Sequence, residues 1–312
     1  MTKLLRNRVA DRAKLLSQLR TLTVMSAQAE TNEVELSYSD LLAQARALNI
    51  EPADAAILMC HRLKISRAAL IAYPERAVTA TLSAQIQADF AARARGVPVA
   101  YLCGVQEFYG LTLAVSPAVL IPRADTETLV DTALATFDRI EAVHALDLGT
   151  GSGAIALALK SQRPHWQITA VDRSEAALAI ARKNAETLKL EVKFLAGDWF
   201  APVTGSYQLI LANPPYVAQG DPHLNQGDLR FEPSGALAAD DQGMADLRHI
   251  VDNAAGFLQL NGWLMLEHGY SQGPAVNAHL AQAGYENINI IKDLGGNDRV
   301  SVGQWLGRLE HS

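Results

Sequence analysis

A chain of 312 residues exceeds one small core and suits a domain of about 200 residues with a smaller companion. Hydrophobic residues at 49% against charged ones at 19%, without a low-complexity tract, exclude a disordered chain, and no apolar run approaches the roughly 18 residues that span a bilayer. The net charge of -6 is uneven, with 13 basic against 9 acidic residues in 1–95 and 14 against 24 in the remainder, and an acidic second part is a poor match for nucleic-acid phosphates.

The first 20 residues hold six basic side chains (Lys3, Arg6, Arg8, Arg12, Lys14, Arg20) and one acid, Asp11. Leucines at 4, 5, 15, 16 and 19 could share a helix face, as in a mitochondrial transit peptide, but an N-terminal helix or loose extension is the expectation. Residues 1–35 are therefore set apart as a basic extension, without an apolar region suited to secretion. Cys60 and Cys103 are isolated from each other and from any histidine pair. They promise neither a disulfide nor a metal site, and the cytoplasm is the expected compartment.

Residues 36–98 read as a small helical domain. Leu41, Leu42, Ala45 and Leu48 recur at helical spacing, with Ser39 or Asp40 available as the cap. Pro52 opens a second helix with Ala55, Ala56, Ile57 and Met59. A third spans 82–94 and ends at Gly96, with Pro98 just beyond. No β-pattern interrupts this stretch. From Tyr101 to Ile121 the period changes, and Phe108, Leu111, Leu113, Val115 and 119–121 predict a β-hairpin turning near Tyr109-Gly110. Residues 99–124 are assigned as this linking hairpin.

Beyond Asp125, strands and helices alternate. Strands are predicted at 143–148, 167–171, 191–195, 207–212 and 263–267, with a closing pair at 288–292 and 299–305, and helices at 154–162 and 175–188. The alternation implies a parallel sheet covered on both faces. Gly295-Gly296-Asn297-Asp298 is a tight-turn sequence, so the closing strands should pair antiparallel at the edge of the sheet. The expected fold is α/β, Rossmann-like, with seven strands in 125–308.

Asp147-Leu148-Gly149-Thr150-Gly151-Ser152-Gly153 follows the first strand of this region and opens a helix. Its glycines allow a sharp turn and close backbone approach to a ligand, and the helix start offers free N–H groups. Asp172, 19 residues after Gly153, ends the next strand where a carboxylate can accept both hydroxyls of a ribose. Asp198 follows the third strand and can accept from an exocyclic amine, while Trp199 or Phe200 lies against an adenine. Dinucleotide folds space their glycines differently, and no P-loop lysine follows.

Asn213-Pro214-Pro215-Tyr216 ends the fourth strand on the same sheet edge. An amide nitrogen is a poor nucleophile because its lone pair is delocalised. The Asn213 carboxamide oxygen and the Pro214 carbonyl can each accept one of its N–H bonds, directing charge onto nitrogen in the transition state. The prolines stiffen the turn, and Tyr216 offers a ring for a flat group. No general base is needed, and His223, His249 and His268 read as structural. Between Val217 and Gly243 there is no clear period, and a loop of this length, carrying Arg230, Phe231 and Glu232, reads as a clamp over the substrate.

The glycine loop is similar to the first motif of Rossmann-like class I methyltransferases, in which Asp147 would help hold the aminoacyl end of S-adenosylmethionine. Over residues 40–306 the chain resembles the HemK/PrmC family of N5-glutamine methyltransferases. The resemblance is carried by Gly104-Val105-Gln106-Glu107-Phe108-Tyr109-Gly110, Leu120-Ile121-Pro122-Arg123, Asp125-Thr126-Glu127 and the two loops above. Pro222-His223-Leu224, Arg230-Phe231-Glu232-Pro233 and Glu267-His268-Gly269 extend it. It implies S-adenosylmethionine on Gly149, Thr150, Gly151, Ser152, Gly153, Asp172, Trp199 and Asn213, to which the strand-end reading adds Asp198. It also implies a Gly-Gly-Gln glutamine of peptide chain release factors on Asn213, Pro214, Pro215 and Tyr216, to which the clamp reading of the long loop adds Arg230 and Phe231. The helical domain would dock the release factor, with no direct nucleic-acid or membrane partner, and a monomer is expected. Residues 1–35 depart from the family pattern. The competing readings are a glutamine methyltransferase of a ribosomal protein, an adenine-N6 methyltransferase gripping a flipped base, and a non-catalytic module.

Overall fold

The computed structural model describes residues 35–307, so the expected N-terminal extension lies, but for Glu35, outside the described residues. The chain divides after Ala94 into two compact units.

The first unit packs helices Tyr38–Ala47, Pro52–Leu63, Arg67–Ala72 and Ala80–Ala94 around Leu41, Leu58, Met59, Ile86 and Phe90. The first helix is capped by Ser37 rather than by Ser39 or Asp40. Ser37 is extended, its hydroxyl accepts from the Asp40 amide at 3.2 Å, and Asp40 accepts from the Ser37 amide at 2.9 Å. That reciprocal box needs the acid at the third helical position, so Asp40 completes the cap rather than forming it. Contrary to the sequence reading, two short strands do occur here: β1 (Leu36–Ser37) and β2 (Ala77–Val78) pair antiparallel. Each is two residues long, too short to register as a period. The helix Arg67–Ala72, capped by Ser66, was also not anticipated. Ile57 faces solvent at 51% exposure instead of joining the core.

The second unit opens with a short helix, Val99–Cys103, where the hairpin was expected to begin. The hairpin itself is β3 (Val105–Phe108) with β4 (Leu111–Ala114). Tyr109 and Gly110 both have positive φ, the backbone that a two-residue turn of matching twist requires. Val119 and Ile121 are buried, but 119–121 is not a strand.

A seven-stranded sheet follows. Its members are β5 (His144–Leu148), β6 (Gln167–Asp172), β7 (Lys193–Ala196), β8 (Tyr207–Ala212), β11 (Leu258–Glu267), β12 (Glu286–Lys292) and β13 (Asp298–Trp305). Between β8 and β11, the two-residue strands β9 (Val217–Ala218) and β10 (Ala238–Ala239) pair parallel and bracket three short 3-10 turns. The sheet order is β12-β13-β11-β8-β5-β6-β7. All neighbours are parallel except at one end, where β13 runs antiparallel to both β11 and β12. The reversed strand is thus inserted one place in, and β12 forms the edge itself.

Side chains alternate along the central strands. Ala145, Leu209, Leu211 and Met265 join the core on one face, and Leu146, Leu148, Ile210, Ala212, Leu264 and Leu266 that on the other. Both faces are covered, as a parallel sheet demands. Helices Ala154–Gln162, Glu175–Leu188 and Ala245–Ala254 contribute to these cores. From β5 the chain moves outward through β6 and β7, then returns to place β8 on the other side of β5. That reversal opens a crevice at the carboxyl ends of β5 and β8, where open α/β sheets bind ligands.

Candidate active site

Register brings the two motifs together. Leu148 pairs with Ala212 on one side and Val171 on the other, and Ala212 pairs with Leu266. The residues that follow (Gly149, Asn213, Asp172 and Glu267) are therefore neighbours along one sheet edge.

The glycine loop folds back on the β6 end. Gly149 and Thr150 donate their amides to Val171 O at 2.9 Å each, and Gly151 donates to Asp172 Oδ2 at 2.8 Å. Asp172 Oδ1 accepts from Ser174 N at 2.8 Å, fixing the carboxylate between the loop and the next helix. Gly153 has φ +84°, and a Cβ there would stand 3.1 Å from Leu157 Cδ1 and 3.3 Å from Ala181 Cβ. Only glycine meets both demands. Asn184, buried on helix Glu175–Leu188, donates to Ser152 O at 2.9 Å and to Ala114 O at 3.0 Å. Its Oδ1 accepts from Ala114 N at 2.7 Å, which ties β4 to the loop.

A cavity of about 270 Å³ lies over this edge. Gly149, Gly151, Asp172, Asp198, Trp199, Asn213 and Pro215 line it, so the expected loop, ribose and adenine residues converge with the acceptor turn. A Cβ on Gly151 would meet nothing within 4 Å, and one on Gly149 would stand 3.4 Å from the Trp199 ring. The loop thus presents bare backbone beside an aromatic face, a cradle that suits an adenosine carrying a charged amino-acid tail.

Not every anticipated residue reaches the cavity. Asp147, Thr150, Ser152 and Gly153 lie beneath it. Asp147 is fully buried, with Oδ2 accepting from Thr150 Oγ1 at 2.6 Å, so it bears on a ligand through the loop and not by contact. Burial pushes its carboxyl up to about 6. Pro214 is buried, and Tyr216 is held below the turn, its hydroxyl donating to Glu267 Oε1 at 3.3 Å. In this structure the Tyr216 ring is therefore not a cavity wall.

Arg230 and Phe231 also stand apart from the cavity. Arg230 Nη2 donates to Arg95 O at 2.7 Å, and its guanidinium lies 4.9 Å from the Phe231 ring centroid. The long loop instead reaches the cavity through Pro233, Gly235 and Ala236. Glu232 anchors it, paired with Arg123 and accepting from Ile121 N at 3.0 Å. This contact holds 119–121, which line the cavity as irregular chain through Val119 and Leu120.

Several site residues were missed by the sequence reading. Arg173 lines the cavity and donates to Gly235 O at 3.1 Å, closing the loop over the crevice. Asp246 lines it beside Trp199 and Asp198. Burial raises the Asp246 carboxyl above the usual range and the Asp198 charge adds to this, while Arg173, His249 and the Trp199 side chain oppose them. Neither has a motif of its own. Arg173 is signalled only by following Asp172 directly, whereas Asp246 arrives by tertiary folding alone. His268 is fully buried between Ser301 Oγ at 3.0 Å and Gly269 O at 2.9 Å, and His249 lies on helix Ala245–Ala254.

This sheet, with its bare-backbone loop after β5 and acceptor turn after β8, is that of a Rossmann-like class I methyltransferase. Residues 125–231 match the methyltransferase small domain, and residues 36–104 the PrmC N-terminal domain. A crystal structure of a methyltransferase from Pyrococcus furiosus shares the fold at TM-score 0.50 and 20% identity, covering 74% of this chain and all of its own. A release factor glutamine methyltransferase of Shewanella oneidensis is 44% identical over 88% of this chain and 96% of its own. That of Yersinia pestis is 48% identical over 81% and 91%. The chain belongs to the release factor glutamine methyltransferase family.

Proposed function

We propose that the protein methylates the side-chain amide nitrogen of the glutamine in the Gly-Gly-Gln motif of peptide chain release factors, using S-adenosylmethionine. The observation that carries the reading is the position of Asn213. It lines the same cavity as Asp172 and Trp199, and its Nδ2 is engaged by Thr126 Oγ1 at 3.2 Å. With the nitrogen so occupied, Oδ1 is the free end of the carboxamide, and an acceptor amide needs an oxygen there to receive its N–H.

When bound, S-adenosylmethionine supplies an electrophilic methyl. Asp172 would hold its ribose, Asp198 and Trp199 its adenine, and the backbone from Gly149 to Gly151 its amino-acid end. Asn213 Oδ1 would accept one N–H of the glutamine amide, and Pro214 O, buried in this structure, would take the other as the turn opens to the substrate, placing the nitrogen lone pair toward the methyl. The Arg230 loop would close on the segment flanking the glutamine. Arg230→Ala with unchanged transfer to a full-length release factor overturns that last role. Charge gives free nucleic acid no part in this reading.

The test supplies radiolabelled S-adenosylmethionine with a release factor, ribosomal proteins or DNA. Label on the release factor, lost when its Gly-Gly-Gln glutamine is replaced, is the expected result. Label on a ribosomal protein alone moves the substrate, and label on DNA overturns the amide reading.

A further inference from the structure

Glu267 ends β11 directly beside the acceptor turn and is 1% exposed. Its Oε1 accepts from the Tyr216 hydroxyl, while its Oε2 has no hydrogen-bond partner. Thr126 is buried, and its hydroxyl favours the ionised form of this carboxyl. The same hydroxyl oxygen accepts from Asn213 Nδ2 at 3.2 Å.

The direction of these bonds decides what Asn213 presents. A hydroxyl has one proton to give, and an ionised carboxylate can only accept. When Thr126 gives its proton to Glu267, its oxygen must accept from Asn213. The amide nitrogen then faces Thr126, and Oδ1 faces the cavity. A Thr126 hydroxyl free to donate toward Asn213 would satisfy the flipped carboxamide equally well, setting N–H against the N–H of the substrate. Oε2, which has no partner in this structure, is the acceptor open to the Thr126 proton, and taking it removes this ambiguity.

We infer that Glu267, through Thr126 on Asn213 and directly on Tyr216, is a positioning residue that holds the Asn213 oxygen toward the methyl acceptor. This rests on the amide reading above. Tyr216 and Thr126 are joined around the carboxyl by Arg299 of β13, which favours its charge, and by Asp125, which opposes it. Arg299 is itself held by Asp293 at 3.0 Å and reaches Asp125 at 3.2 Å. Burial outweighs the favourable partners and pushes the Glu267 carboxyl up to about 7. Protonation in that range turns an acceptor into a donor and releases the constraint on Thr126.

The experiment compares wild type, Thr126→Val, Thr126→Ser and Glu267→Gln for transfer to a release factor at about pH 6 to 9, with cofactor binding by calorimetry. Thr126→Val should lower kcat by about tenfold or more with cofactor Kd within about threefold, and Thr126→Ser should return kcat to within about threefold. Wild-type kcat should rise with pH through the neutral range, and Glu267→Gln should flatten that rise. Thr126→Val at wild-type kcat, Thr126→Ser as impaired as Thr126→Val, a Glu267→Gln profile that rises with pH as steeply as wild type, or equal loss of cofactor affinity overturns the inference. A wild-type enzyme that labels no release factor overturns the parent reading and this inference with it, whereas an active wild type with an indifferent Thr126→Val overturns this inference alone.

Discussion

Asp172 and Gly151 come from the ends of adjacent strands, and the amide of the second donates to the carboxylate of the first at 2.8 Å. The carboxylate is held at both oxygens, yet each keeps a further lone pair for a ligand, and Asp172 lines the cavity.

Asp172→Ala is therefore expected to act twice, removing a ligand acceptor and loosening the loop. A charged hydrogen bond is worth about 1.5–3 kcal/mol, so S-adenosylmethionine affinity should fall by about 10- to 100-fold in calorimetry. Affinity within about threefold of wild type would show that the ribose is held elsewhere.

Asn213→Ala should separate chemistry from binding. Losing a hydrogen bond made in the transition state typically costs about 10²–10³ in rate, so kcat should drop by that order while cofactor affinity changes little. An equal loss in both would make Asn213 a structural residue, and no loss at all would point to a scaffold instead of an enzyme.

Asn184→Ala strips three hydrogen bonds from a buried position and leaves the Ala114 and Ser152 backbone groups unpaired. Each unsatisfied group costs about 1–3 kcal/mol, so with three of them a loss of at least about 3 kcal/mol is expected in denaturant unfolding. Stability within about 0.5 kcal/mol of wild type would mean that water replaces the side chain.

The buried Asp147 sets a pH dependence of the opposite sign to a salt bridge. Its carboxyl rises from an ordinary 3.8 to about 6, so the folded state holds its proton more tightly than the unfolded chain. Between about pH 4 and 6 the folded state binds more protons, and stability contributed by this group falls as pH rises, by about 3 kcal/mol at most. Unfolding midpoints measured across that window should slope less in Asp147→Asn than in wild type. Parallel slopes would place the titration in another group.

The chain itself determined much of this molecule, because the signals are local. Helices Ala154–Gln162 and Glu175–Leu188 and strand β8 stand at the residues their spacing predicts. Glycines that must adopt positive φ, and an asparagine before two prolines, mark a cradle and an acceptor turn in a few letters each. The two-residue strands left no period to read, and Asp40 resembled a cap because its partner lies outside the helix.

What only the tertiary structure decided is which of these residues face the cavity and what stands behind them. Asp147 sits inside the recognisable motif, yet strand alternation turns it beneath the loop. Asp246 and Arg173 enter because a helix and a loop far apart in sequence close over the same crevice. Thr126 and Glu267 are separated by 141 positions in the chain; the pairing of β8 with β11 brings Glu267 beside Asn213, and Thr126 reaches it from the turn before helix Glu127–Thr136. Sequence spacing encodes the direction of a side chain along its own element. Hydrogen-bond partners across a sheet depend on strand order, and no local pattern carries that order.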